Sequence, residues 1–589
     1  MTVNDMTFKI AGEAGMGVES TGRGFTKALV RGGLYVFGLQ DYHSRIRGGH
    51  NFFQIRVADH DLYSFDERVH LLLPMTQVAI DEHLGEIVSG GAVIYDPALA
   101  AGEAAIQAHG AQAFPVPLAQ IATDVGGNKM MANTAAIGAA AGVTGFGLEV
   151  ISSVIRENFG KKSGEVADAN LKVAAAAYRF AEEKYAARFP FKLQSPCISL
   201  RGQKIQAPRR MLISGNDALA LGALMGGCKF VAGYPMTPGS PILEWFAVHS
   251  KEWGIVTKHA EDEIAAINMV IGAAQMGVRA MTPTSGGGFS LMVEGLGLAG
   301  MTEVPIVVVN VQRPGPATGH ATRHEQGDLL FMLYAAQGEF PRIVLAPGTI
   351  EQCFEAGCRA FNLAEKYQCP VLIVSDAFLA HSPRALDLEA MNFQAPIDRG
   401  SVLGDEELSL LTERYKRFVD TESGVSPRAF PGHPKAVYAP SSDEHDEFGQ
   451  ICEDAAVRIQ QHSKRMRKLE TARADMAAPL QYGPVDAELA FVTWGSTVGP
   501  LRMAVDLLQE QGQSARIVQI LDLWPLPVDK VNVALQGAKR LICVEQNYSG
   551  QLATLLRAYA GIQVHGLINK YDGRPMSPQY IVKQLKGVV

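Results

Sequence analysis

The chain has 589 residues with 47% hydrophobic and 19% charged side chains, the balance of a globular protein. At roughly 150 residues per domain it holds three to four domains, and its formal net charge of −7 excludes a general nucleic-acid surface. No apolar run reaches the roughly 18–20 residues of a membrane span, the N-terminus lacks the regions of a signal peptide, and seven scattered cysteines point to a reducing cytoplasm rather than a disulfide framework.

Residues 1–190 read as a first α/β domain. A strand, T-F-K-I-A, runs into G-E-A-G-M-G at 12–17, and a helix follows through Leu29. Strand L-Y-V-F-G ends near Asp41, and strands F-F-Q-I-R-V, L-L-L-P and A-V-I-Y-D precede helices from about 133 to 187. This alternation predicts a parallel, doubly wound sheet. The glycine turn, with Gly15 and Gly17, can offer bare backbone N–H groups to a phosphate. Asp41 falls about 24 residues beyond Gly17, near where a dinucleotide fold places its ribose acid. NAD binding is one reading and a tight strand-to-helix turn the other, because the spacing is Gly-x-x-Gly-x-Gly. R-I-R-G-G-H (45–50) puts Arg45 and Arg47 in one loop, suited to a phosphate or simply exposed.

Residues 191–210 lose periodicity and read as a linker. A second α/β unit, 211–390, has strands K-F-V-A-G-Y, R-A-M-T-P-T-S, P-I-V-V-V-N-V, R-I-V-L-A and P-V-L-I-V-S. Short apolar runs between helices fit strands buried on both faces. Its motifs gather at predicted strand ends, where open α/β sheets bind ligands. In Y-P-M-T-P, Pro235 and Pro238 fix φ on both sides of Thr237. Glu261, Asp262 and Glu263 open a helix, where complementing the helix dipole accounts for two of them. T-S-G-G-G-F, with Gly286 and Gly287, permits close backbone approach. Arg313 follows a strand and suits a carboxylate partner, with Thr318 and Thr322 nearby in sequence.

Residues 391–485 are irregular and read as a connecting arm with one charged helix near 451–474. Its basic run, Lys464-Arg465-Met466-Arg467-Lys468, reads as a solvated helix face. A third α/β unit, 486–589, has strands E-L-A-F-V-T-W, A-R-I-V-Q-I, R-L-I-C-V-E and I-Q-V-H-G-L. The predicted fold class is α/β with three doubly wound parallel-sheet domains. No C-x-x-C occurs, and Cys353 and Cys358 share a helical pattern, so this chain alone is not expected to build a cluster or zinc site.

Y-P-M-T-P-G-S-P (234–241), E-D-E-I-A-A (261–266), T-S-G-G-G-F (284–289) and Q-R-P-G-P-A-T-G…T-R-H-E-Q-G-D-L (312–329) resemble the alpha subunit of 2-oxoacid:ferredoxin oxidoreductases, most closely the 2-oxoglutarate type. The resemblance covers nearly the whole chain, including S-S-D-E-H-D-E-F-G (441–449) and V-E-Q-N-Y-S-G-Q-L (544–552). The first domain is similar to the family's gamma domain, here fused ahead of alpha. The second resembles its pyrimidine-binding domain and the third a transketolase C-terminal-like domain.

The resemblance implies thiamine diphosphate, Mg²⁺, a 4Fe-4S cluster, CoA as co-substrate and ferredoxin as electron acceptor. It implies that Glu263 bonds the pyrimidine N1′ and so favours the imino tautomer. Tyr234, Pro235, Gly286 and Gly287 would adjoin the cofactor. Thr237 would lie near the substrate carbonyl, and Arg313 and Thr322 would bind the 2-oxoacid. His320 and Ala321 stand where relatives often carry an apolar residue and a proline, and His320 would suit a distal carboxylate. Arg45, Arg47, Gly15 and Gly17 are the corresponding CoA candidates. No G-D-G…N motif occurs, since Gly327-Asp328-Leu329 and Gly404-Asp405-Glu406 break it. Diphosphate, Mg²⁺ and cluster are therefore expected from a beta subunit, in an assembly of two alpha and two beta chains, with no metal ligand here. Other readings are an enzyme for pyruvate or branched-chain oxoacids, a non-catalytic scaffold, and an NAD-binding subunit.

Overall fold

A computed structural model describes residues 2–42, 49–99, 102–160, 163–196 and 209–588. The chain forms two compact units, 1–213 with 382–390, and 214–381 with 391–589. No helix among the described residues is long and apolar enough to cross a membrane.

The first unit is built on an eight-stranded sheet. Strands Asp5–Glu13, Val69–Pro74, Ile87–Tyr95 and Gln112–Pro115 run parallel, as the alternation predicts. The other half is antiparallel, so the sheet is mixed rather than wholly parallel. Strand His50–Ala58 pairs antiparallel with both Asp5–Glu13 and Tyr35–Tyr42. The connection from Tyr42 to His50 is too short for a crossover, which needs about a dozen residues, so these two strands must reverse direction. Strands Arg384–Asp387 and Arg210–Ile213 complete the antiparallel edge. This pairing explains why residues 382–390 join the first unit although strands on either side of them in sequence belong to the second.

Helices Ala132–Thr144 and Gly164–Tyr185 pack against each other at close range over the core of the first sheet. A Cβ added at Gly138 would stand 2.4 Å from the Ala174 carbonyl oxygen, and one at Gly142 2.3 Å from that of Tyr178. Only glycine permits this approach. Phe8, Phe25, Phe53 and Phe114 fill the core beneath.

The second unit holds two sheets. In the seven-stranded sheet the order is Val256–His259, Phe230–Gly233, Ala280–Thr284, Val307–Gln312, Val371–Asp376, Ile343–Leu345 and Asp522–Trp524. All neighbours are parallel except the last pair. The five-stranded sheet orders Leu480–Tyr482, Ala515–Gln519, Leu489–Thr493, Arg540–Glu545 and Gly566–Asn569, with only the first strand antiparallel. One apolar cluster, from Phe289 and Val308 to Trp494 and Leu556, joins the two sheets.

The arm helix, Ala455–Arg473, departs from its solvated reading. Lys464, Arg465 and Lys468 are buried. Lys464 Nζ lies 2.7 Å from Glu303 Oε1, and Lys468 bonds the other oxygen of the same fully buried carboxylate. Arg465 donates to Glu444 at 2.8 Å. The spacing of four puts both lysines on one helix face, and the buried acid supplies their countercharge. Cys228, Cys353, Cys358, Cys369 and Cys543 are buried, as small apolar side chains would be. Among the described residues no group of histidine, cysteine and acidic side chains could hold a metal ion.

Candidate active site

Strands Phe230–Gly233, Ala280–Thr284 and Val307–Gln312 lie side by side and parallel. The segments leaving their C-terminal ends form one site. After the first strand the chain turns through Tyr234 to Gly239, with a cis peptide bond between Thr237 and Pro238. Tyr234 and Pro235 are exposed, and Met236 and Thr237 half-buried. Gly239 packs on the neighbouring strand, where a Cβ would come within 2.7 Å of the Thr284 carbonyl oxygen.

Glu263 is the first residue of helix Glu263–Gln275. Asp262 caps that helix, its Oδ1 accepting from the Ala265 N–H at 2.7 Å. The acid run therefore divides: Asp262 serves the helix, while Glu263 turns inward and is only 3% exposed. Its Oε1 has no hydrogen-bond partner. Burial raises the Glu263 carboxyl above its ordinary range, and the Asp262 charge adds to this. A buried acceptor without a donor is costly and is expected where a ligand completes the bond.

The glycine turn faces this carboxylate. Helix Gly286–Met301 begins at Gly286, and the Gly288 N–H donates to Met236 Sδ at 3.2 Å. A Cβ at Gly288 would lie 2.2 Å from Thr284 Oγ1 and 2.6 Å from Glu263 Oε1. Gly288 is thus the position that must lack a side chain for Glu263 to sit where it does. The sequence reading singled out Gly286 and Gly287, and the run of three glycines was the signal for their neighbour. Gly287 is open, with only ordinary contacts near an added Cβ, to Ala317 and Met236.

Arg313 closes the third side. Its Nη1 donates to the Thr237 carbonyl oxygen at 2.8 Å, bringing the two expected substrate residues together. Burial lowers the Arg313 pKa, and the Asp328 carboxylate opposes this. Asp328 was set aside in the sequence as part of a broken G-D-G motif, yet it borders the site. Its Oδ2 accepts from Asn310 Nδ2 at 3.0 Å, and its N–H donates to Gln312 Oε1 at 2.9 Å. Gly286 packs directly on it: a Cβ there would stand 2.5 Å from Asp328 Oδ2.

His320 and Thr322 lie on the loop that follows, but among the described residues neither is hydrogen-bonded to Thr237 or Arg313. His320 is exposed, and its backbone N–H donates to the Pro314 carbonyl at 3.0 Å. Gln326, fully buried, ties this loop to the last sheet. Its Oε1 accepts from Thr497 Oγ1 at 2.8 Å and the Gln546 N–H at 3.2 Å, and its Nε2 donates to Asp376 Oδ2 at 3.2 Å. V-E-Q-N-Y-S-G-Q-L supplies the matching half. Glu545 accepts from Trp494 Nε1 and from the Leu552 N–H at the start of helix Gln551–Ala560, and Asn547 Nδ2 reaches the Gln326 carbonyl.

The first unit presents its own candidates. Gly17 precedes helix Val18–Arg31 with φ +78°, and Gly15 has φ +91°, both left-handed values that favour glycine. Arg45 and Arg47 lie outside the described residues. Strand His50–Ala58 separates strand Tyr35–Tyr42 from Asp5–Glu13, so Asp41 stands two strand spacings, about 9–10 Å, from the glycine turn rather than beside it. That geometry weighs against the dinucleotide reading.

Three family models match: pyruvate flavodoxin/ferredoxin oxidoreductase, thiamine diphosphate-binding, over residues 221–464; pyruvate ferredoxin/flavodoxin oxidoreductase over 7–180; and pyruvate:ferredoxin oxidoreductase core domain II over 487–581. The alpha subunit of a 2-oxoacid:ferredoxin oxidoreductase from a Sulfolobus species is 32% identical, covering 99% of this chain and 97% of its own. The chain belongs to the 2-oxoacid:ferredoxin oxidoreductase family. It is an alpha subunit carrying a fused gamma-like domain, and its second region is a thiamine diphosphate-binding domain. The 2-oxoglutarate oxidoreductase subunit KorA of Mycobacterium tuberculosis is 30% identical over 94% of this chain and 87% of its own. A solved structure, 2-oxoglutarate:ferredoxin oxidoreductase from Magnetococcus marinus with 2-oxoglutarate, coenzyme A and succinyl-CoA bound, superposes with a TM-score of 0.91 at 31% identity, covering 99% of each chain. The α/β class and the family expected from the motifs agree with these matches.

Proposed function

We propose that this chain is the alpha subunit of a 2-oxoglutarate:ferredoxin oxidoreductase. The complex would interconvert 2-oxoglutarate, CoA and oxidised ferredoxin with succinyl-CoA, CO2 and reduced ferredoxin. The observation that carries the reading is Glu263, a buried carboxylate whose Oε1 lacks a donor and abuts a glycine turn beside the Arg313–Thr237 pair. Those residues would fit a thiamine pyrimidine, whose ring nitrogen would share a proton with the unpartnered Oε1. When bound, that cofactor supplies a nucleophilic carbon and an electron sink for decarboxylation.

The chain's own residues then have separable tasks. Glu263 holds the proton shared with the pyrimidine ring nitrogen, and burial keeps water from competing for it. Arg313 binds the oxoacid carboxylate, held in place by its bond to the Thr237 carbonyl. Thr237 offers its hydroxyl near the substrate carbonyl, and Thr322 and His320 lie on the loop that would meet the distal end. Tyr234, Pro235, Gly286 and Gly287 form the rim on the cofactor side. Gly15, Gly17, Arg45 and Arg47 are the proposed CoA contacts. Mg²⁺, the diphosphate contacts and the 4Fe-4S cluster are assigned to a beta subunit, because this sequence carries neither G-D-G nor a set of cluster cysteines. The proposed assembly has two alpha and two beta chains, as the family resemblance implies.

The names of the Mycobacterium and Magnetococcus relatives support 2-oxoglutarate, while the family models are named for pyruvate. The deciding experiment is CoA-dependent reduction of a low-potential acceptor by the complex with its beta subunit, using 2-oxoglutarate, pyruvate and a branched-chain oxoacid. Highest kcat/KM for 2-oxoglutarate is expected. Preference for pyruvate would overturn the substrate, and no CoA-dependent turnover with any oxoacid would overturn the function.

A further inference from the structure

Beyond Glu263, the site contains a pair of acids that the proposed chemistry does not use. Asp328 sits beside Arg313, at the start of helix Leu329–Tyr334 and under the start of helix Gly286–Met301. Glu325 stands three residues before it, on the same loop, and Gly327 between them is close-packed, since a Cβ there would lie 3.1 Å from Glu325 Oε1. The groups facing Asp328 can be named element by element. Strand Val307–Gln312 and its end supply Asn310, Gln312 and Arg313. The glycine helix supplies Gly286 and no charge. Helix Gln551–Ala560 supplies the neutral Gln551, whose amide bonds the Gly327 carbonyl and the Leu330 N–H. The loop supplies Glu325, while His324 turns away to Asp376. Among the described residues Arg313 is thus the cation whose field reaches Asp328.

An incoming oxoacid changes this balance. Its carboxylate remains ionised at any working pH, and Arg313 can neutralise only one negative charge at a time. With the ligand on Arg313, the Asp328 and Glu325 charges oppose each other, and among the described residues no other cation acts on either. We propose that the oxoacid carboxylate enters this site together with a proton: the carboxylate goes to Arg313, and the Glu325–Asp328 pair takes the proton from solvent. Asp328 is in this sense a positioning residue: its charge acts on the guanidinium, whose direct bond is to the Thr237 carbonyl, and that influence fades when Asp328 is protonated. The inference rests on the reading that Arg313 binds the substrate carboxylate. The environment favours proton uptake: burial raises the Asp328 carboxyl, opposed by Asn310 and Arg313, and Glu325 is raised by burial and by the Asp328 charge. Removing Arg313 from that balance would raise the Asp328 carboxyl further.

The test uses the assembled complex with its beta subunit and two unreactive ligands that carry a carboxylate beside a carbonyl. N-oxalylglycine mimics 2-oxoglutarate, and oxamate mimics pyruvate. Titration calorimetry at one pH, in buffers of different ionisation heat, counts protons taken up on binding. Uptake is expected in the wild-type complex, with Kd weakening toward about tenfold per pH unit once the free pair is ionised. Asp328→Asn should abolish the uptake and flatten the Kd–pH curve, and Glu325→Gln, at a more open position, should do so in part. No uptake in the wild type, or unchanged uptake in both variants, overturns the proposal. A merely structural role for Asp328 would weaken binding equally at every pH and leave the proton count unchanged. If oxamate binds with uptake and N-oxalylglycine does not bind, the coupling stands and the 2-oxoglutarate reading falls. If neither ligand binds, the carboxylate role of Arg313 falls and the coupling with it.

Discussion

Replacing Glu263 by glutamine is expected to increase stability while removing activity. The side chain is 3% exposed and its Oε1 has no donor, so the folded protein buries an unsatisfied carboxylate. Such a group costs about 1–3 kcal/mol, and more when charged. Glutamine has nearly the same shape and no charge, so Glu263→Gln should recover about 1–2 kcal/mol of that penalty. For a unit of this size that is a rise in Tm of a few degrees, roughly 2–4 °C per kcal/mol. The pH dependence has a definite sign. Burial raises the folded pKa above the ordinary value of 4.5, so ionisation subtracts stability above the folded pKa. The penalty fades as pH falls toward 4.5, and the difference between variant and wild type should shrink with it. Activity should fall about 10²–10⁴-fold, the scale of a lost acid–base contribution. Thermal unfolding at pH 8 and near pH 5, beside CoA-dependent acceptor reduction by the complex, checks both halves. A variant less stable than wild type at pH 8, or one with near-normal turnover, would refute the argument.

Arg313→Leu should lower kcat/KM for every 2-oxoacid by about 10–100-fold, mostly through KM, since charge-assisted hydrogen bonds contribute about 1.5–3 kcal/mol. An unchanged KM would exclude it as the carboxylate clamp. Gly288→Ala places a Cβ 2.2 Å from Thr284 Oγ1 and 2.6 Å from Glu263 Oε1, so it should destabilise by about 1–3 kcal/mol and displace the carboxylate. Gly287→Ala, with its nearest atom at 3.7 Å, should leave the melting temperature unchanged, and equal losses in the two variants would remove the special role of Gly288. Glu303→Gln leaves two fully buried lysines without their countercharge and should cost about 3–5 kcal/mol in denaturant unfolding. Burial alone would raise the Glu303 carboxyl, but Lys464 and Lys468 hold it well below its ordinary range. Its stabilisation is therefore present above the unfolded value of 4.5 and lost as pH falls through the depressed folded pKa, a dependence the variant should lack.

How much of this was legible in the sequence depended on the range of the interactions. Apolar runs such as P-I-V-V-V-N-V and R-L-I-C-V-E located strands to within one or two residues, because strands buried on both faces must be continuously apolar. Strand direction was not local information. The hairpin of Tyr35–Tyr42 and His50–Ala58 is betrayed only by the shortness of its connection, and strand Arg384–Asp387 finds one partner some 350 residues away in sequence and the other some 170 away. The basic run at 464–468 looked solvated because its countercharge, Glu303, is remote. In the site, motif spacing separated Glu263 from the capping Asp262. Asp328 was hidden because its meaning lies in Asn310, Arg313 and Gly286, which only folding brings together.

The last region of the chain matters to the site through the loop it holds. Thr237, Glu263 and the glycine turn are held by strand ends and helix starts of one sheet, so packing alone fixes them. The segment from Arg313 to Asp328 has no such support, since it contains no helix or strand. Gln326 provides the restraint, with both side-chain ends and both backbone groups bonded, and every partner except Asp376 comes from residues 487–589. Each of these groups is buried, so withdrawing any one leaves an unsatisfied polar atom, and the loop cannot drift without losing several bonds together. Asp328 follows Gln326 by two residues and is held by Asn310 and Gln312 on the other side. The carboxylate beside Arg313 is thereby fixed from both sheets at once. A five-stranded sheet with its helices is a large structure for one loop, but a charge-balanced pocket for an anion requires its countercharges to stay in place, and an unsupported 16-residue crossing could not hold them.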